Sequence, residues 1–208
     1  MFVTLEGIDR SGKTTQAALL TEALRPETLL LREPGGTDAG EQIRALLKDP
    51  AIDLDPRAEL LLFCAARAEL CTRLVRPALE AGRDVVCDRF IDSTVAYQGV
   101  ARGLGTELVE SLNEIAIAGC VPDVTVLLKI DPETAEARGQ QRLARGGADG
   151  IDRFEEQGID FQRLVAAAYD DLAERHPERI AVVDADGGAD EVHARVMEAV
   201  GHVAARGG

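Results

Sequence analysis

The sequence predicts an α/β protein: a doubly wound sheet of about five parallel strands with helices on both faces. Three observations carry this expectation. Five short apolar runs, continuous rather than alternating, read as strands buried on both sides. Helical patterns separate the runs, which makes each strand–helix–strand unit a right-handed crossover. A glycine-bearing turn joins the first run directly to the first helix.

The runs are FVTLE (2–6), TLLLRE (28–33), DVVCD (84–88), DVTVLLKI (123–130) and RIAVVDA (179–185). TTQAALLTEAL supplies the first helix, and an amphipathic helix around GEQIRAL follows the second run. The stretch DPRAELLLFCAARAELCTRLVRPALEAG predicts one long helix from about Pro56 to Ala81, and DEVHARVMEAVGHVAA predicts the last helix of the chain. RLARGGADGIDRFEEQG (142–158) is charged, glycine-rich and without a good apolar period, so it reads as a flexible lid between two helices. No repeat or linker divides the sequence, and residues 1–208 are expected to fold as a single domain. A domain of this size buries about 70% of the surface its unfolded chain exposes, so it needs no disulfide or metal staple.

The formal net charge is -14, and a surface this acidic should repel a phosphate polymer. Polymeric nucleic acid is therefore disfavoured as a partner, and any bound phosphate must be held by a local group of arginines in a cleft. Of the 23 basic residues only Lys13, Lys48 and Lys129 are lysine. The four cysteines, Cys64, Cys71, Cys87 and Cys120, show no CxxC spacing and no clustered histidines, which fits a reduced cytoplasmic protein better than a disulfide framework or a zinc site. No leader-like or membrane-spanning stretch is read, so neither export nor a membrane partner is expected.

GIDRSGKT matches G-x-x-x-x-G-K-[ST] in full, after a predicted strand and at the start of a predicted helix. This is the phosphate loop of P-loop NTPase-type folds. Gly7 and Gly12 let the backbone wrap closely, so that its N–H groups and the helix N-terminus face an anion. The loop residues Gly7, Ile8, Asp9, Arg10, Ser11, Gly12, Lys13, Thr14 and Thr15 are the set expected to bind a nucleoside triphosphate. Within it Lys13 reaches the β- and γ-phosphates and the Thr14 hydroxyl ligates Mg²⁺. Asp88 ends a buried strand at the edge where ligands of open α/β sheets collect, and it is the expected second metal group. Arg89 follows it into the same crevice. Phe63 and Arg67, four residues apart on a helix, share a face.

Beyond the loop, the blocks REPGGTDAGEQIRALL (32–47), LLFCAARAEL (61–70), CDRFIDSTVAYQG (87–99), PDVTVLLKID (122–131) and DRFEEQGIDF (152–161) run through nearly the whole chain. Together they resemble the thymidylate kinases among the nucleoside monophosphate kinases. The resemblance implies transfer of the γ-phosphate of ATP to dTMP, with ATP and Mg²⁺ bound, small nucleotides as partners, and a homodimer joined through the long helix. By the same resemblance Phe63 stacks on thymine, Arg67 donates to the base carbonyl, and Arg89 holds the phosphate of dTMP. Arg44 lies near base and phosphate, and Asp9 and Glu33 lie near the sugar 3′-hydroxyl and the metal. Thr94 and Gln98 touch the base edge, and the Tyr97 ring crowds the 2′ position against a ribose. Adenine contacts are expected near Asp184 and Ala185.

Thymidylate kinases are of two kinds, with the catalytic arginine in the phosphate loop or in the lid. This sequence has Arg10 in the loop and also Arg142, Arg145 and Arg153 in or beside the lid. The expected catalytic set is Lys13, Arg10, Arg89 and Arg145: Arg10 bridges donor and acceptor phosphates, and Arg145 arrives on closure and excludes water. An ionised acceptor phosphate is already nucleophilic, so no strong general base is needed. Two readings compete. One is another nucleoside or nucleotide kinase, such as a deoxynucleoside or UMP/CMP kinase, against which the REPGGT and AYQG blocks argue. The other is a P-loop switch driven by ATP or GTP hydrolysis, which usually needs an N/TKxD element that the sequence lacks.

Overall fold

The computed structural model describes residues 1–144 and 157–204. Five strands, β1 (Phe2–Glu6), β2 (Leu29–Arg32), β3 (Val85–Asp88), β4 (Val124–Lys129) and β5 (Ile180–Asp184), form one sheet in the order β2-β3-β1-β4-β5. Every pairing is parallel. β1 lies at the centre, with Val3 opposite Val86 on one side and Val124 on the other. Each expected strand is present: β1 has the expected bounds, and the others are trimmed by one residue at one or both ends.

The helices are α1 (Lys13–Ala23), α2 (Asp38–Lys48), α3 (Pro56–Leu70), α4 (Arg76–Glu80), α5 (Ile91–Thr94), α6 (Thr106–Ile117), α7 (Pro132–Ala144), α8 (Gly158–Arg175) and α9 (Ala189–Ala204). The crossover from β1 to β2 runs one way across the sheet, and the crossovers from β2 to β3 and β3 to β4 run the other. Right-handed connections then place α1 on one face and α3 and α6 on the opposite face. α9 returns to pack beside α1. β1 and β3 are neighbours whose connections leave in opposite directions, so a crevice opens between their carboxyl ends.

One core surrounds Val3, Leu5, Leu20, Val126 and Val196; a second surrounds Phe2, Leu70, Val75, Val85 and Phe90. Each such side chain contributes about 1.5–3 kcal/mol by leaving water. Phe2 and Phe90 meet edge to face, their centroids 5.0 Å apart. Capping fixes the helix starts near the site. Thr37 Oγ1 accepts from Gly40 N at 3.0 Å before α2, and Asp55 Oδ1 accepts from Arg57 N at 2.9 Å before α3.

The expected long helix from about Pro56 to Ala81 is present as one continuous helical path over 56–80, but it is not α-helical throughout. α3 widens into a π-helical turn, Cys71–Val75, before α4 resumes. Pro77 supplies a physical reason: it has no N–H to donate, and its ring would crowd the carbonyl one turn back, so the wider turn lets the helical path continue through it. A second π-helical turn, Val95–Ala101, follows α5 and carries Tyr97 and Gln98. Of the stretch expected as a lid, residues 142–144 complete α7 and residues 157–158 lead into α8. Arg145 and Arg153 lie outside the described residues. Among the described residues no helix is long and apolar enough to cross a membrane.

Candidate active site

The phosphate loop leaves the sheet where β1 ends. Gly7 has φ 142°, and a Cβ there would sit 2.6 Å from the carbonyl oxygen of Leu128 on β4, so only glycine fits this close approach. Gly12, at φ 97°, turns the chain into α1. Lys13 folds back over the loop: its Nζ donates to Gly7 O at 3.1 Å, Ile8 O at 2.7 Å and Ser11 Oγ at 3.3 Å. All three donors of the ammonium are thus engaged. Burial, and after it the positive charge of Arg89, bring the Lys13 pKa down to about 8.

Thr14 and Asp88, expected to share a cation, are brought together: Thr14 Oγ1 donates to Asp88 Oδ2 at 2.6 Å. A hydroxyl and a carboxylate are hard oxygen donors of the type Mg²⁺ prefers. Among the described residues no group of three or more His, Cys, Asp or Glu side chains is arranged to hold a metal. An ion held by this pair would need to take its remaining ligands from outside these side chains.

Asp9 joins three distant parts of the chain. Its Oδ1 accepts from Arg89 Nη2 and from the Tyr97 hydroxyl at 3.0 Å, and its Oδ2 accepts from Gln162 Nε2 at 2.7 Å. Burial alone would raise the Asp9 carboxyl, but Arg89 and Lys13 hold it below its ordinary value. Arg89 has φ 72°, lies over the Tyr97 ring at 4.9 Å, and donates through Nη1 to Gly7 O at 3.2 Å and Ser93 Oγ at 3.1 Å. Below it Glu6 is wholly buried. Its carboxylate accepts from Phe90 N at 2.7 Å, Ser93 N at 3.2 Å, Ser93 Oγ at 2.6 Å and Tyr169 Oη at 2.8 Å, and so ties the end of β1 to the turn that carries Arg89.

A second cluster surrounds Arg67, which is 1% exposed. Nε donates to Glu33, Nη1 to Thr94 Oγ1 at 3.1 Å and Asn113 Oδ1 at 2.6 Å, and Nη2 to Glu33 Oε2 and Phe90 O at 3.0 Å. All five guanidinium N–H groups therefore have a protein acceptor. Burial raises the Glu33 carboxyl against the opposing pull of Arg67. Three residues expected in the substrate site, Glu33, Arg67 and Thr94, thus form one unit. Gln98, 1% exposed, donates to Glu59 Oε1 at 2.7 Å, and Arg44 Nη1 donates to Pro34 O at 2.8 Å in the turn after β2. Phe63 is half-buried on α3, one turn before Arg67. The turn after β5, where adenine was expected, is held by Arg138 Nη1 to Ala185 O at 3.0 Å and Arg195 Nη1 to Asp184 O at 2.8 Å.

Sequence reasoning missed Glu6, Glu59, Ser93, Asn113, Gln162 and Tyr169. Only Glu6, directly before the loop glycine, carried a local signal, since a carboxylate inside an apolar run demands partners.

The Thymidylate kinase family model matches residues 5–196. The chain belongs to the thymidylate kinase family. The thymidylate kinase of Desulfosudis oleivorans is 48% identical over 208 residues, covering 98% of this chain and 97% of that one. That of Deinococcus radiodurans is 43% identical over 203 residues, covering 96% of each. The crystal structure of thymidylate kinase from Ehrlichia chaffeensis superposes with a TM-score of 0.78 at 35% identity, over 96% of this chain and 97% of that one. Family membership and the parallel five-stranded sheet agree with the fold and reaction class expected from the sequence.

Proposed function

We propose that the chain transfers the γ-phosphate of ATP to dTMP, giving dTDP and ADP, as a step of dTTP biosynthesis. One observation carries this reading beyond the family likeness: Lys13 Nζ and Arg89 Nη1 donate to the same carbonyl oxygen, that of Gly7. A cation suited to the donor phosphates and a cation suited to the acceptor phosphate therefore stand side by side across one loop turn. Two positive groups this close are tolerated by Asp9 and are neutralised further when two anionic nucleotides meet head to head.

In this reading Lys13 releases loop carbonyls to reach the β- and γ-phosphates, while Arg89, steadied by Asp9, Tyr97 and Ser93, holds the phosphate of dTMP. Arg10 bridges the phosphates, a contribution worth about 10³–10⁵ in rate for a well-placed arginine. Thr14 and Asp88 would hold Mg²⁺, which when bound neutralises charge between the β- and γ-phosphates. Phe63 stacks on thymine, and Tyr97 closes the 2′ side of the sugar. Thr94 and Gln98 lie by the base edge, Glu33 and Arg44 line the acceptor side, and Asp184 and Ala185 lie near adenine. All five N–H groups of Arg67 already have protein acceptors, so a base carbonyl reaches it only by sharing one of them, and Arg67 acts largely by fixing its neighbours. Arg145, outside the described residues, is assigned water exclusion on sequence grounds alone.

We further propose a cytoplasmic homodimer. Leu61 on α3, 54% exposed, and Leu108 and Ile115 on the adjoining α6, 48% and 76% exposed, support the interface. The four cysteines are free and buried, which fits a reducing compartment. The test of the reaction is ADP release with Mg·ATP against dTMP, dUMP, UMP, CMP, AMP and thymidine. Strong turnover of dTMP, slower by about 10- to 200-fold for dUMP and minimal for thymidine, is expected. Preference for thymidine or a ribonucleotide would refute the assignment.

A further inference from the structure

Arg10 makes a contact with α7 that the proposed reaction does not explain. A Cβ added to Gly139, in the interior of α7, would collide with Cδ and Nε of Arg10 and lie 2.8 Å from Cζ. The guanidinium end of the loop arginine thus occupies the space a side chain at position 139 would take. Glycine in a helix is not always explained this way, for Gly201 in α9 has nothing within 4 Å of the same added atom. Two locally unfavourable choices meet at this contact. Arg10 holds φ 65°, a left-handed backbone that non-glycine residues rarely adopt, and Gly139 weakens the helix it sits in. Ala135, one turn earlier on the same face of α7, lines with Asp9, Arg10, Glu136 and Gln162 a small open pocket of about 50 Å³ beside the loop.

We propose that Gly139 is a positioning residue: the notch it leaves in α7 seats the Arg10 guanidinium and orders it before the nucleotides arrive. This rests on the role given above to Arg10 at the phosphates. A long arginine on a loop loses much rotamer freedom when it is fixed, and an arginine already fixed loses less of it during the reaction. Alanine at 139 would fill the notch. The atoms in the way belong to a flexible side chain and not to backbone, so the fold survives while the charge is displaced by on the order of 1 Å or more, a misplacement that can cost up to about 100-fold in rate.

The test is a double-mutant cycle with Gly139→Ala and Arg10→Ala, read by steady-state kinetics with Mg·ATP and dTMP and by thermal unfolding. Expected for Gly139→Ala are a kcat lower by roughly tenfold or more, KM values changed by less than about twofold, and an unfolding temperature equal to or above that of the parent. In the Arg10→Ala background the same substitution should have no further effect on kcat. An unchanged kcat, an equal loss in both backgrounds, or a loss that tracks a lowered unfolding temperature would overturn the seat. Absence of dTMP turnover by the parent chain would instead sink the underlying reaction, and the seat with it.

Discussion

Arg67 and Glu33 place a charge pair in the protein interior, each side chain no more than 3% exposed. Such a pair holds only while both partners are present, because removing one leaves the other desolvated with nothing to neutralise it. Glu33→Ala should therefore lower unfolding stability by about 3–5 kcal/mol in urea titrations, well beyond the loss of an exposed pair. A loss under about 1 kcal/mol would show that water reaches Arg67. At this scale the sequence revealed what is close along the chain. The loop motif exposed Lys13 and Thr14, and spacing four apart put Phe63 and Arg67 on one helix face. It could not reveal Gln162, 153 positions from the Asp9 it holds, nor that Asn113 completes the shell of Arg67. Those bonds depend on how α6 and α8 dock, and no local rule encodes that.

Within single elements, the last residue of β1 has the sharpest consequence. Burial, followed by the charge of Asp92, lifts the Glu6 carboxyl from 4.5 to about 7. The folded chain then holds this proton more tightly than the unfolded chain does. The resulting stabilisation is fully present below 4.5 and is lost as pH rises through about 7. Glu6→Gln, which keeps the shape but cannot ionise, should gain in stability relative to the parent across that window and run parallel to it outside. Urea titrations at stepped pH would test this, and a constant difference between the two proteins would contradict it. Strands were easy to read because burial on both faces leaves uninterrupted apolar runs. The π-helical turns were not, since Pro77 shows that a helix is perturbed there but not whether it kinks, stops or widens.

For the molecule as a whole, alternating strands and helices sufficed to foresee the doubly wound sheet, but the pairing of two copies depends on surfaces that periodicity does not separate from core. If α3 and α6 join two copies, each carrying a formal charge of -14, repulsion opposes the association. Salt should then promote the dimer: sedimentation equilibrium should show tighter association at roughly 0.5 M NaCl than at low ionic strength. Leu61→Asp should leave monomers under both conditions. Weakening of the dimer by salt, or dimers of Leu61→Asp, would exclude this face.

Asp9 stands at the beginning of the chain, yet one of the groups that immobilise it, Gln162, belongs to α8. During translation the amino-terminal strand and its loop emerge early and wait for a partner that is synthesised much later. A nascent polypeptide halted before α8 would display the loop motif in full, together with Arg89 and Tyr97, while its aspartate still lacked Gln162. The full anchoring of Asp9 therefore comes late in biosynthesis, and a ribosome-stalled fragment can carry the motif without it.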